Sequence, residues 1–284
     1  MTAAWLPPAA MLSLPAVLAS LPSPPVNEIH LGPLRLTFYG ILVATGVALA
    51  WSLVRRRFAA RGGSADRVDT LVGRMVVVGF LGARLAYVST HLDRYEGEWW
   101  KVLAVWEGGL ALYGGVTVGG ITLWVLARRW GMDLGDLADS LAPALPLAQA
   151  VGRWGNYFNQ ELFGTPTSLP WGVEIAPPNR PALFPQAETF HPTFLYESLW
   201  NLALVGLILW MDATGRVRRG RLIGVYLAGY GVVRFLLELI RVDTTFRLLG
   251  LSRNGWVSIG VVAAGLVALF WDRFPAGRFP GRAG

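Results

Sequence analysis

The chain has no cysteine among its 284 residues, so neither a disulfide framework nor a thiolate metal site is possible. Its three histidines, His30, His91 and His191, lie far apart and match no metal-ligand spacing. Charge is scarce as well: 15% of residues are charged, against about 25% in an ordinary soluble domain. No Lys or Arg precedes Arg35, and a secretory signal peptide needs a positively charged start, so a cleaved leader is not expected. No fixed-period repeat is visible.

What the chain has instead is apolar length. It is 54% hydrophobic, with a mean hydropathy of +0.45 and 13 Trp available for interfacial belts. Long, nearly charge-free runs place it among the polytopic helical membrane proteins. The fold expected is therefore all-α, with about seven transmembrane helices and a small external excursion. The spans are expected near 34–54, 68–90, 108–127, 137–152, 192–211, 222–240 and 256–271. The fourth is short and contains Pro143 and Pro146.

Three divisions follow. Residues 1–33, proline-rich and apolar, read as an external or interfacial segment. Residues 34–272 read as the transmembrane domain, with a polar excursion over 157–192 on the outer side. Residues 273–284 form a cytoplasmic tail.

The net charge of +7 reports topology, not a nucleic-acid partner. The arginines cluster at span ends: Arg55–Arg57 with Arg61 and Arg67, then Arg128 and Arg129, then Arg216 to Arg221, then Arg273 to Arg282. The positive-inside rule makes these ends cytoplasmic and puts the N-terminus outside. Attraction to anionic membrane lipids is a second use for them.

With that orientation, the costly polar residues gather at the outer ends, Arg74 near the inner end of the second span being the exception, read as a snorkelling side chain. Tyr39 lies near the start of the first span, and Arg84 and Tyr87 near the end of the second. Glu107 and Tyr113 open the third. Arg153, Asn156, Asn159 and Glu161 follow the fourth, within Gly152–Gly164 (GRWGNYFNQELFG). His191, Tyr196 and Glu197 open the fifth, and Glu238 and Arg241 close the sixth. Ionisable groups at membrane depth are functional candidates by default. One alternative is that each arginine merely pairs with a glutamate to staple helices, which leaves their collection at one end unexplained. Arginine's fixed charge and bidentate fork suit a lipid phosphate.

The sixth span gives the clearest pattern. Tyr230, Arg234, Glu238 and Arg241 recur at i, i+4, i+8 and i+11, within a stripe of roughly 80° at about 100° per residue. Such a stripe faces the protein interior or a wet cavity. Gly114, Gly115, Gly119 and Gly120 of the third span, with Gly152 and Gly155, read as sites of close helix approach.

GRWGNYFNQELFG, HPTFLYES (His191–Ser198) and YGVVRFLLELIR (Tyr230–Arg241) resemble segments of the bacterial prolipoprotein diacylglyceryl transferases. GARLAYV (Gly82–Val88), FYG (Phe38–Gly40) and GGLALYGG (Gly108–Gly115) fit the same family, and the resemblance runs from about Tyr39 to Trp271. It implies a seven-span enzyme of the bacterial inner membrane whose active site faces the outer leaflet. The implied reaction moves the diacylglyceryl group of phosphatidylglycerol onto the lipobox cysteine thiol of a prolipoprotein, near its signal peptide. A thioether forms and glycerol-1-phosphate leaves. No metal or cofactor is implied.

By the same resemblance, Arg153 and Arg234 bind the headgroup and stabilise the departing phosphate, with Tyr113 the third catalytic position. Asn156 and Glu161 complete the polar pocket and Gly164 supports its turn. Tyr39, Tyr230, Glu238, Arg241, Arg84 and His191 join the substrate-binding set, His191 with an alternative role in capping or orienting the fifth span. The departure from the family pattern is Tyr113, where well-known members carry a histidine proposed as the base. A tyrosine with a pKa near 10 is a poor base at neutral pH. The reading preferred here is a thiol deprotonated under the influence of the arginines, with Tyr113 as an orienter. The rival function is an anionic-lipid transporter or flippase that binds without chemistry.

Overall fold

The computed structural model describes residues 20–32, 34–105, 108–242 and 247–270. Glu107, Trp271, most of the N-terminal segment and the C-terminal tail lie outside these residues. Among the described residues, seven helices of 18 residues or more carry the fold. They are α1 (Phe38–Ala60), α2 (Ala65–Thr90), α3 (Leu112–Arg129), α4 (Leu134–Gly152), α6 (Thr193–Ala213), α7 (Leu222–Ile240) and α8 (Arg253–Phe270). A six-residue helix, α5 (Trp154–Asn159), follows α4 directly. Five of the long helices, α1, α2, α6, α7 and α8, are long and apolar enough to cross a membrane. The exceptions are α3, which carries four glycines and ends on Arg128 and Arg129, and α4, which carries Asp136, Asp139 and two prolines. Large apolar side chains such as Leu85, Val116, Leu199 and Leu239 stand exposed on the helix exteriors, as a lipid-facing surface requires. The protein is an all-α, multi-pass membrane protein.

Local chemistry sets the helix starts. Ser64 and Asp133 cap α2 and α4, accepting from the backbone N–H of Arg67 and Asp136. Thr37 does the same for α1 through Gly40 N–H. That cap displaces the expected start of the first span, because Leu34–Thr37 is a strand, β2, paired antiparallel with β1 (Glu28–Leu31). The last helix starts at Arg253, earlier than the expected 256. The excursion carries a second strand pair, β3 (Val173–Glu174) with β4 (Thr189–Phe190), packed over Phe163, Ile175 and Phe194. A third, β5 (Arg247–Leu248) with β6 (Leu251–Ser252), turns the chain from α7 into α8.

Two helix hairpins are zipped by small residues. A Cβ on Gly114 would meet Ala86 Cβ at 2.3 Å, and one on Gly265 of α8 would meet Ala228 N of α7 at 2.5 Å. Close approach is thus the role of Gly114, Gly115 and Gly119, as expected, whereas Gly120 and Gly152 face open space. Between the hairpins stands α4, packed against α1, α6 and α7. Pro143 and Pro146 are interior to this helix and fully buried. Membrane helices keep such prolines where neighbours satisfy the freed backbone groups.

The short connections 61–64, 130–133 and 214–221 share one end of the bundle, here called the arginine end; the opposite one is the site end. At the arginine end Arg57 and Arg61 both pair with Asp212, at 2.9 and 2.8 Å. Arg219 pairs with Asp136. Asp139 of α4 accepts from the backbone N–H groups of Gly220 (2.6 Å) and Leu222 (2.9 Å). Helix α7 has no side-chain cap of its own, so a carboxylate from α4 supplies it across the packing face.

Candidate active site

The site is built where α4 runs out. Arg153 keeps a right-handed helical backbone (φ −62°, ψ −27°) at the junction of α4 and α5, which aims its side chain across the bundle. Its guanidinium lies 2.8 Å from Glu197 Oε1 on α6, a carboxylate that is 3% exposed. Arg153 is also hydrogen-bonded to Tyr230 of α7, and its Nη1 donates to Asn156 Oδ1 at 3.3 Å. A turn deeper, Tyr226 stacks on Tyr230 and contacts Gln149 of α4. One guanidinium thus ties three helices together.

The chain after α5 makes a strained turn. Gln160 (φ 51°) and Leu162 (φ 59°) are both left-handed without being glycine, a conformation costing roughly 1–2 kcal/mol per residue. Three features hold it. Asn156 Nδ2 and Asn159 Nδ2 both donate to Glu161 Oε1, at 2.9 and 3.2 Å. The Thr193 hydroxyl donates to Leu162 O. Gly164 N–H donates to His191 O at 2.9 Å, and a Cβ there would sit 2.9 Å from His191 Cβ. Thr165 N–H then reaches Ile240 O, and Gly164 pairs with Arg241 as a β-bridge, docking the turn on the end of α7. The observed strain motivates a functional reading for the turn.

A second arginine stands one turn along α7 from Tyr230. Arg234 Nη2 contacts Glu238 Oε2 at 2.9 Å. Its Nη1 is buried and has no hydrogen-bond partner among the described residues. Glu238 Oε1 accepts from Ser252 Oγ at 2.8 Å and from Asn254 Nδ2 at 3.4 Å. Tyr230 lies within electrostatic reach of Arg153, Arg234 and Glu197 together. The arrangement is charge-balanced but leaves one guanidinium nitrogen unsatisfied, and a buried donor without a partner is costly. An incoming oxyanion would relieve that cost.

The family model described as prolipoprotein diacylglyceryl transferase matches residues 27–271. Among curated relatives, phosphatidylglycerol–prolipoprotein diacylglyceryl transferase 2 of Streptomyces coelicolor is 44% identical over 254 residues, covering 88% of this chain and 80% of its own. The transferase of Cutibacterium acnes is 42% identical over 253 residues, covering 88% and 85%. The one from Mycobacteroides abscessus is 39% identical, covering 88% and 79%. The chain belongs to the prolipoprotein diacylglyceryl transferase family.

Within this diacylglyceryl transferase fold, the expected residues divide into those the structure brings together and those it does not. Arg153, Asn156, Glu161, Gly164, Tyr230, Arg234, Glu238 and Arg241 assemble around the ends of α4 and α7. Tyr39 packs on α5, where a Cβ at Gly155 would meet its ring at 2.5 Å. Among the described residues Tyr113 reaches the cluster through α8, its hydroxyl 3.3 Å from Asn254 Oδ1. His191 Nδ1 lies 3.1 Å from Tyr196 Oη. It therefore orients a tyrosine on α6, and Pro192 occupies the capping position.

Arg84 stands apart. Its guanidinium donates to the carbonyls of Lys101, Val102, Ala104, Gly108 and Gly109, at 2.6 to 3.3 Å. Every nitrogen is engaged, which gives Arg84 the role of pinning the α2–α3 loop. The residues that sequence reasoning did not place in the site are Glu197, Gln149, Tyr226, Ser252 and Asn254. Glu197 carried a signal, as an acid near the start of an apolar span; the others carried none.

Proposed function

We propose that this enzyme transfers the diacylglyceryl group of phosphatidylglycerol to the lipobox cysteine of a prolipoprotein, the first step in lipoprotein maturation. Membership of the family over nearly the whole chain carries the reading. The thiol gives up its proton to solvent and the sulfur attacks the glyceryl carbon that bears the phosphodiester. A C–S bond forms, the C–O bond to phosphate breaks, and glycerol-1-phosphate departs with the electron pair.

In this reading Arg153 and Arg234 flank the phosphate, with the free Nη1 of Arg234 as the vacant donor. Donors already in place where charge develops are worth about 10²–10³ in rate each. The same cations favour the thiolate of an approaching cysteine. Asn156 and Glu161 hold the turn over the headgroup, and Tyr39 and Tyr230 line its flanks. No residue need act as a strong base.

The arginine end faces the cytoplasm and the site end the outer leaflet of a bacterial inner membrane, as the cation clusters favour. A lipobox peptide reaches the site from that side, with the excursion over 157–192 beside it. The transporter alternative draws no support from the relatives, which carry transferase names. The deciding experiment uses purified enzyme in phosphatidylglycerol-containing bilayer vesicles with a lipobox peptide. Release of glycerol phosphate with a matching mass gain on the peptide is expected. Lipid movement without that release would overturn the reading.

A further inference from the structure

We infer that Asn254 and Ser252 are positioning residues that, with Tyr113, form a polar relay from the first turn of α3 to the Arg234–Glu238 pair. The inference rests on the proposed transfer reaction.

The observation is an unbroken run of side chains across three helices. The Tyr113 hydroxyl donates to Asn254 Oδ1 at 3.3 Å. The same carboxamide turns its Nδ2 toward Glu238 Oε1 at 3.4 Å. Ser252 Oγ donates to that oxygen at 2.8 Å while accepting from Gly255 N–H at 2.9 Å, so the hydroxyl that caps α8 also grips the carboxylate. Glu238 Oε2 is left for Arg234 Nη2 at 2.9 Å. Each group has one chemically allowed sense: hydroxyl to carbonyl, amide to carboxylate, guanidinium to carboxylate. Ser252 and Glu238 are buried, where such a network is stiff because every unmet bond is expensive.

The consequence falls on Arg234. With Oε1 held by two donors, Glu238 offers only Oε2, and the guanidinium presents Nη1 to the site without a partner. Released from Ser252 and Asn254, the carboxylate is free to rotate and chelate both guanidinium nitrogens, competing with phosphate for the arginine. Tyr113 then acts on the lipid through Asn254. Its proton is directed at an amide oxygen, an arrangement unsuited to accepting the thiol proton. Tyr113 also borders a cleft of about 760 Å³ between α2 and α3, lined by Leu81, Gly82, Leu85 and Thr117. The relay therefore begins at a surface open to the membrane.

The test is steady-state kinetics of the full-length enzyme in mixed micelles, varying the surface concentration of phosphatidylglycerol at saturating lipobox peptide. Asn254→Ala should raise KM for the lipid about tenfold, as loss of one hydrogen bond to a buried carboxylate would, and Tyr113→Phe, whose hydroxyl is exposed, should raise it less, about two- to threefold, with kcat little changed in either. The double variant should match the worse single one, since both cut the same relay. A purely structural role would lower the active fraction and hence apparent kcat, leaving KM where it was. An unmoved KM in Asn254→Ala, or additive effects in the double variant, overturns the relay. Should Asn254→Ala not fold, Tyr113→Phe and Asn254→Asp carry the same reading. A wild-type enzyme that transfers nothing overturns the transfer reading and the relay with it; an active wild type with unmoved variants overturns the relay alone.

Discussion

Glu197 of α6 and Arg153 at the end of α4 form a buried ion pair at 2.8 Å, and the arginine reaches Tyr230 of α7 from the same position. The pair sits where three helices meet, so it is a structural tie, and under the proposed reaction it also sets the first cation of the headgroup site.

Removing one partner leaves the other charged and desolvated. Glu197→Ala should lower unfolding stability by about 3 kcal/mol and abolish transfer, because Arg153 loses its aim. Thermal unfolding in detergent, read beside glycerol phosphate release, checks both. A stable and active Glu197→Ala enzyme would remove Glu197 from the site.

Arginine is required for its fork as well as its charge. Arg153→Lys and Arg234→Lys should each lose about 10² or more in kcat/KM, since a lysine cannot hold a carboxylate and a phosphate oxygen in one plane. Unfolding midpoints distinguish this from misfolding. Near wild-type rates in either variant would show that a point charge suffices.

These roles were unevenly legible. The stripe Tyr230, Arg234, Glu238 could be read because helical periodicity is local, and the GRWGNYFNQELFG segment because its polar residues stand out beside apolar runs. The partners could not. Glu197 lies 44 positions from Arg153, and Asn254 lies 141 from Tyr113; nothing in local pattern encodes which helices face each other. Arg84 shows the converse limit. An arginine near a span end reads the same whether its donors meet a ligand or backbone carbonyls, and here the carbonyls of residues 101–109 take them all.

The glycine hairpins separate two residues that look alike in sequence. Gly114→Ala should destabilise, because the new methyl falls 2.3 Å from Ala86 Cβ and 2.8 Å from Gly82 O. Gly120→Ala meets nothing within 4 Å and should be neutral or gain up to about 1 kcal/mol from reduced chain entropy. Paired unfolding curves decide it. Equal effects would mean that α2 and α3 are not in this close contact.

At the arginine end, Asp139→Ala should cost about 1–2 kcal/mol, the usual worth of a helix N-cap. KM for the lipid should not change, because the carboxylate binds Gly220 and Leu222 far from the headgroup. An altered KM with unchanged stability would contradict the capping role.

The cap that Asp139 lends to α7 has a further consequence, which is one of measurement. From Leu222 to Arg234 the helix climbs about 18 Å at 1.5 Å per residue, and no described proline interrupts it. The depth at which Arg234 waits is therefore counted off from a carboxylate on a different helix, like a mark on a ruler whose zero is fixed at the opposite face. Inserting one residue in that stretch would raise the mark by about 1.5 Å and swing it through about 100°, out of line with Glu238's partners. The same insertion in the loop 214–219, ahead of the zero, would leave the mark where it is.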